Sequence, residues 1–104
     1  HFRRKDSDVH VDVPITLQEA VLGGKIDVPT IDGPVSMTIP AGTNSGSTLR
    51  LKGKGIADGS TGPRGDQYVH LTVMLPDDAD GTLKEALKDW SATHDYDVRR
   101  KAGL

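Results

Sequence analysis

The side chains of this sequence best suited to chemistry are its histidines, two runs of aspartate, several serines and a Gly-Lys-Gly step, and their spacing limits what each could do. His1, His10, His70 and His94 are scattered along the chain. None forms the H-x-x-x-H pair that sets two imidazoles on one helix face for a metal. His10 and His70 fall at outward positions of alternating strands, where an ordinary solvent-facing residue is expected. Asp77, Asp78 and Asp80, and separately Asp95 and Asp97, are near neighbours, but they lie in turn segments where Asp satisfies local backbone N–H groups. Acid/base work by a carboxylate pair needs a cleft that drives the two pKa values apart, and no such cleft is implied. Gly53-Lys54-Gly55 lacks the rest of a phosphate loop and leads toward a strand instead of a helix. Ser36, Ser45, Ser47, Ser60 and Ser91 lack the strand-to-helix elbow that activates a nucleophile. No catalytic residue, no metal ligand set and no cofactor is therefore expected, and an enzyme is not the class to which these residues point.

Composition narrows the frame. A chain of 104 residues has room for one modest core. Its hydrophobic fraction of 35% favours a thin sandwich over a deep core. Thirteen Lys and Arg against 15 Asp and Glu leave a formal charge of −2, so no global cationic field gathers nucleic acid or anionic lipid. Without cysteine there is no disulfide framework, Cys-ligated zinc or thiol nucleophile, which fits a reducing compartment. No apolar run approaches the ~18 residues of a membrane span. A cytoplasmic location is expected, and a start at His1 without Met suggests a piece of a longer protein.

The elements follow from periodicity. Val9, Val11 and Val13 alternate with polar residues up to Pro14, the mark of a strand with one buried face. Thr16 and Glu19 have capping-box spacing ahead of a two-turn helix that Gly23-Gly24 stops. Ile26 and Val28, then Val35, Met37 and Ile39, flank Thr30-Ile31-Asp32-Gly33-Pro34. The Asp-Gly pair predicts an antiparallel hairpin there, because both residues tolerate positive φ. Leu49 and Leu51 make a short strand, and the glycine-rich stretch from Gly53 to Gly65 reads as an exposed loop with little packing of its own. Between Tyr68 and Leu75, the set Val69, Leu71, Val73 and Leu75 forms the buried face of the strongest strand. From Leu83 the period changes: Leu83, Ala86, Leu87 and Trp90 make one apolar helical stripe, with Asp80 or Thr82 as its cap. Residues 95–104 read as an aperiodic tail. The fold class is mostly β, a small two-layer sandwich with one short helix after the first strand and a C-terminal helix.

These pieces fall in the order of a known family. The segments TLQEAVLGGKIDVPTIDGPVSMTIPAGTNSGSTLRLKGKG and GPRGDQYVHLTVMLP resemble the C-terminal sandwich of DnaJ-type co-chaperones, including their curved-DNA-binding relatives. The match rests on Glu19-Ala20 with Leu22-Gly23, Val28-Pro29-Thr30 with Asp32-Gly33, Ile39-Pro40 with Gly42-Thr43, Leu49-Arg50-Leu51 with Gly53-Lys54-Gly55, and Gly65-Asp66 with Tyr68-Val69. It covers roughly residues 1–76, and Ser7 departs from it where the family usually has Gly. The resemblance implies that residues 1–78 are the second of two tandem sandwich subdomains and that 79–104 are a dimerisation segment.

It further implies a module that holds unfolded client polypeptide for a DnaK-type chaperone, reached through a J-domain that is not in this sequence. Its client groove corresponds to Val11, Val13, Ile26 and Val28. Alternating valines at such positions more often fill the core of a sandwich than line a groove. The homodimer seam corresponds to Leu83, Leu87 and Trp90, which could instead fold back onto their own sandwich. The alternative function is a purely structural dimerisation module with client binding in the missing first subdomain. A sugar-binding sandwich is a distant third, since aromatics are few and dispersed. Arg99-Arg100-Lys101 offers only a weak, salt-sensitive contact to DNA.

Overall fold

The computed structural model describes residues 2–56, 64–77 and 80–104. Two sheets face one another. The first runs in the order β1 (Phe2–Lys5), β2 (Asp8–Thr16), β6 (Gln67–Met74), β5 (Thr48–Leu51), and the second is the hairpin of β3 (Gly24–Val28) and β4 (Val35–Ile39). Between them lie Val11, Ile15, Val28, Met37, Ile39, Val69 and Leu71, with Ala20 from the short helix α1 (Leu17–Leu22). The expected two-layer sandwich is thus the observed one. One face of each strand is buried because alternation puts every second side chain on the same side. Val9, Val11 and Ile15 are buried on β2, and Val69 and Leu71 on β6.

The unexpected element is β1. Its residues, Phe2 followed by the basic Arg3, Arg4 and Lys5, all fall on the exposed side, so they carry no period-2 signal, yet they pair antiparallel with β2 from Phe2 opposite Val11 to Lys5 opposite Asp8. The short helix therefore follows the second strand, not the first. The hairpin turns at Asp6, a non-glycine residue with φ of 57°. Asp tolerates that left-handed geometry better than most side chains, so Ser7, the departure from the family pattern, does not carry the strained position.

Pro14 does not end β2, which continues to Thr16 and pairs parallel with β6, Pro14 lying opposite Thr72. Val9 N–H donates toward Asp66 on the β6 side, so by alternation the odd residues of β2 bond to β6 and the even ones face the other way. The Pro14 nitrogen thus points to the side that β1 has vacated, and its missing N–H costs no ladder bond.

Local chemistry explains the remaining boundaries. Thr16 Oγ1 accepts from the Glu19 N–H at 3.1 Å and Glu19 Oε1 accepts from the Thr16 N–H at 2.8 Å, the expected capping box. The predicted antiparallel hairpin is present, Val28 lying opposite Val35, but its loop is wider than a two-residue turn. Thr30 and Gly33 exchange backbone bonds, Thr30 Oγ1 donates to the Gly33 carbonyl at 2.6 Å, and of the Asp-Gly pair only Gly33 has positive φ. On β6 the buried Gln67 donates from Nε2 to the Pro29 carbonyl at 2.8 Å, tying the two layers together. Leu75, expected on the buried face, lies past the strand end and is exposed.

The two described ends of the glycine-rich segment, residues 53–56 and 64–65, are closely packed, whereas composition suggested little packing; residues 57–63 lie outside the described residues. Gly55 is buried. Its N–H donates to the Gly65 carbonyl, Gly65 N–H donates to Ile56, and Ile56 N–H donates to Ser7. Asp8 Oδ1 accepts from the Asp66 N–H at 2.8 Å. Asp66 in turn accepts from the Gly53 N–H at 2.8 Å and pairs with Arg50 at 2.7 Å. Three stretches of backbone thus meet where only glycine leaves room.

The Gly53 N–H, and after it the charge of Arg50, hold the Asp66 carboxyl below its ordinary value against the opposing effect of partial burial. A carboxylate whose pKa is lower in the folded state stabilises the fold fully above its unfolded value, roughly 3.9, and loses that contribution as pH falls through the folded value. Denaturant midpoints measured from pH 7 down to 2 are expected to show D66N less stable than the parent at neutrality, with a shallower decline below about pH 4. Parallel curves for the two proteins would remove Asp66 from the account.

Candidate functional site

Three surfaces remain once the core is closed. The first is the open stretch of β2. Since β1 pairs no further than Val11, the edge of β2 from Asp12 to Thr16 is uncovered by a strand among the described residues. Among the described residues no strand pairs with the Asp12 N–H and C=O or the Pro14 C=O, while the Thr16 N–H is already used by Glu19. Val13 on β2 and Ile26 on β3 are half-buried and pack against the core from the two layers. Val11 and Val28 are 2% and 0% exposed. Of the four residues read from the sequence, the structure therefore places two in the sealed interior and two at its margin.

The second surface is α2 (Gly81–Thr93), longer than the expected Leu83 to Trp90. Asp80, one of the two expected caps, accepts from the Leu83 N–H at 3.0 Å. No residue of this helix is buried. Leu83 borders a cleft with Leu17, Val21, Leu22 and Pro76, whereas Leu87 and Trp90 are 48% and 47% exposed. Trp90 stacks on His94 at 4.5 Å and meets Tyr96 edge-on at 6.1 Å, so its own C-terminal segment covers only part of it. The expected tail is partly helical: α3 (Val98–Lys101) starts on Asp97, whose side chain accepts from the Arg100 N–H at 2.9 Å.

The third surface is the outer face of the four-stranded sheet, where cross-strand register sets Arg3, His10, Tyr68 and Arg50 in one row and Asp12, His70 and Thr48 in the next. His10 lies with its ring centroid 5.1 Å from that of Tyr68, and the His10 and His70 rings, also 5.1 Å apart and within 7° of parallel, meet edge to edge in one plane. His10 Nδ1 and His70 Nε2 are 2.8 Å apart, and His70 Nδ1 is 2.9 Å from Thr48 Oγ1. Arg3 grips Asp12 through two contacts of 2.6 and 3.2 Å, and hydrogen bonding from Arg3 lowers the Asp12 carboxyl. Sequence reasoning placed both histidines correctly on the outer face but missed that they meet. The only available signal was that both lay on outward strand positions, and it could not say that the two strands are neighbours. Among the described residues there is no group of three or more His, Asp or Glu arranged to hold a metal, and no helix long and apolar enough to cross a membrane.

A two-layer β-sandwich trailed by an unburied amphipathic helix defines the class. Residues 1–76 match the sequence model of the DnaJ C terminal domain, and the chain belongs to that family. Among curated proteins it is similar to the Chaperone protein DnaJ of Clostridium perfringens, with 47% identity over 87 residues, 84% of this chain and 22% of the relative. It is also similar to the Chaperone protein DnaJ of Acholeplasma laidlawii, with 44% identity over 102 residues, 98% of this chain and 27% of the relative. The chain spans about a quarter of the length of these relatives.

Proposed function

We propose that this chain is the client-binding and dimerisation part of a cytoplasmic DnaJ-type co-chaperone, without catalysis of its own. Residues 1–78 are the second sandwich subdomain and 79–104 the dimerisation segment. A DnaK-type partner is engaged through a J-domain elsewhere in the longer protein. The observation that carries this reading is that, among the described residues, no strand pairs with the edge of β2 from Asp12 to Thr16, while Val13 and Ile26 lie half-buried against the core. An extended client adds a strand there, its backbone bonding to Asp12 and Pro14 while alternate apolar side chains rest on Val13 and Ile26. Reading the backbone makes the interaction tolerant of client sequence. Val11 and Val28 serve as the floor of this groove and hold its two walls on one core.

The burial of Val11 and Val28 also favours a second reading, in which this subdomain only dimerises and clients bind in the subdomain that precedes it. An unfolded reporter peptide titrated into the labelled chain separates the two. Amide shifts centred on Asp12, Val13 and Ile26 are expected, with affinity near the micromolar range and weakened about tenfold by V13T or I26T. Shifts confined to other strands, or none at all, would leave only the dimerisation reading.

A further inference from the structure

The C-terminal segment carries two surfaces of opposite character within a few residues of each other. The first is a shallow recess lined by Trp90, Thr93, His94, Asp95 and Tyr96. His94 lies over the Trp90 ring at 4.5 Å, within 3° of parallel, and Tyr96 meets the same ring edge-on. Trp90 is still 47% exposed and Tyr96 70%, so aromatic surface stays open beside the Asp95 carboxylate. Such a surface attracts a cation in two ways, through the ring quadrupole and through the opposite charge.

The second surface is α3, whose last turn consists of Arg99, Arg100 and Lys101, all of them exposed. Among the described residues the ion pairs are those of Arg3, Arg50 and Arg64, and none of these three cations joins one. Two of the three are arginines, whose planar guanidinium stacks on aromatic rings and pairs with carboxylates better than an ammonium does. A two-fold dimer buries the same patch on both copies, so that patch must be complementary to itself. The stretch from Trp90 to Lys101 meets this condition, because it holds an acidic aromatic recess and a basic turn together. It also continues the exposed stripe of Leu87 and Trp90.

We propose that Arg99 and Arg100 of each chain dock in the recess of a second copy, with guanidinium groups against Trp90 and Tyr96 and their charge facing Asp95. The latch rests on the dimerisation reading above and adds to it a salt-sensitive contact that an apolar stripe cannot supply. One such cation–ring contact changes an association constant by roughly two- to thirtyfold, and the symmetry counts it twice.

Sedimentation of the whole chain between about 50 and about 500 mM NaCl tests the latch. R99Q/R100Q is expected to raise the dimer Kd by about thirtyfold at low salt and to remove most of the salt dependence. K25Q, which removes an exposed cation of β3, should sediment as the parent does. R99E/R100E and D95K should each dimerise weakly alone and recover near-parental association when mixed, because in the mixed dimer each tail meets a recess of opposite charge. In a mixture of labelled and unlabelled parent chains, intermolecular NOEs are expected between the Trp90 ring and the side chains of Arg99 and Arg100. A parent dimer that R99Q/R100Q matches in affinity, a mixture that recovers nothing, or NOEs found only within one chain would overturn the latch and leave the dimer reading standing. A parent that is monomeric at every concentration removes both.

Discussion

Substituting Gly65 with alanine is expected to destabilise the domain by about 3 kcal/mol or more, the upper range for overpacking a closed site. An added Cβ would fall well inside contact distance of the Ser7 carbonyl and 2.7 Å from Asp8 Oδ1. Neither neighbour can yield cheaply. The Ser7 carbonyl is backbone and accepts the Ile56 N–H, while Asp8 Oδ1 accepts the Asp66 N–H. Moving either one disturbs the junction that joins the β1–β2 hairpin to the start of β6. Against a total stability of order 5–15 kcal/mol, this corresponds to a fall in Tm of roughly 12–20 °C. Urea denaturation of G65A beside G81A provides the control. Gly81 opens α2 in free space, with nothing near its would-be Cβ, so G81A should change stability by less than about 1 kcal/mol. Equal midpoints for the two variants would show that the three-way backbone junction contributes little.

The second large effect concerns association. A 13-residue helix with no buried residue is marginal by itself in water, so its stripe of Leu83, Leu87 and Trp90 needs a cover that the described residues supply at Leu83 and over part of Trp90. In the dimer reading the cover is the same helix of a second copy, related by a two-fold axis. Truncating a central aromatic anchor costs about 2 kcal/mol, and the symmetry counts the loss twice. W90A is therefore expected to raise the dimer Kd by roughly a thousandfold. Sedimentation of the parent, W90A and a chain ending at Leu75 measures this. H94A, which removes only the ring stacked on Trp90, should sediment close to the parent. A parent chain that stays monomeric at the highest accessible concentration, or a truncated chain that still dimerises, would place the seam elsewhere.

The two effects differ in how far the sequence foretold them. The apolar stripe of α2 is a local pattern, and Asp80 as its cap was one of two expected positions. The crowding at Gly65 was not foreseen, because a run of glycines looks the same whether it serves flexibility or close backbone approach. The second client-groove pair shows the same limit: alternation marks Val11 and Val28 as inward, but inward toward a groove and inward toward a sealed core give one pattern.

What the amino-acid order determined by itself is everything whose partners lie within a few residues: the capping box at Thr16 and Glu19, the pairing of β3 with β4, the stop at Gly23, and the buried face of each valine-rich strand. The tertiary structure alone decided the parallel contact of β2 with β6, the recruitment of Phe2 and the basic Arg3–Lys5 as a strand, the extension of β2 through Pro14, the glycine junction and the meeting of His10 with His70. The physical reason is common to all of these. A period of two states which side a residue faces, whereas the identity of the neighbouring strand depends on bonds between backbone groups some 60 positions apart in the chain, as His10 and His70 are, and identical backbone groups leave no mark in the sequence.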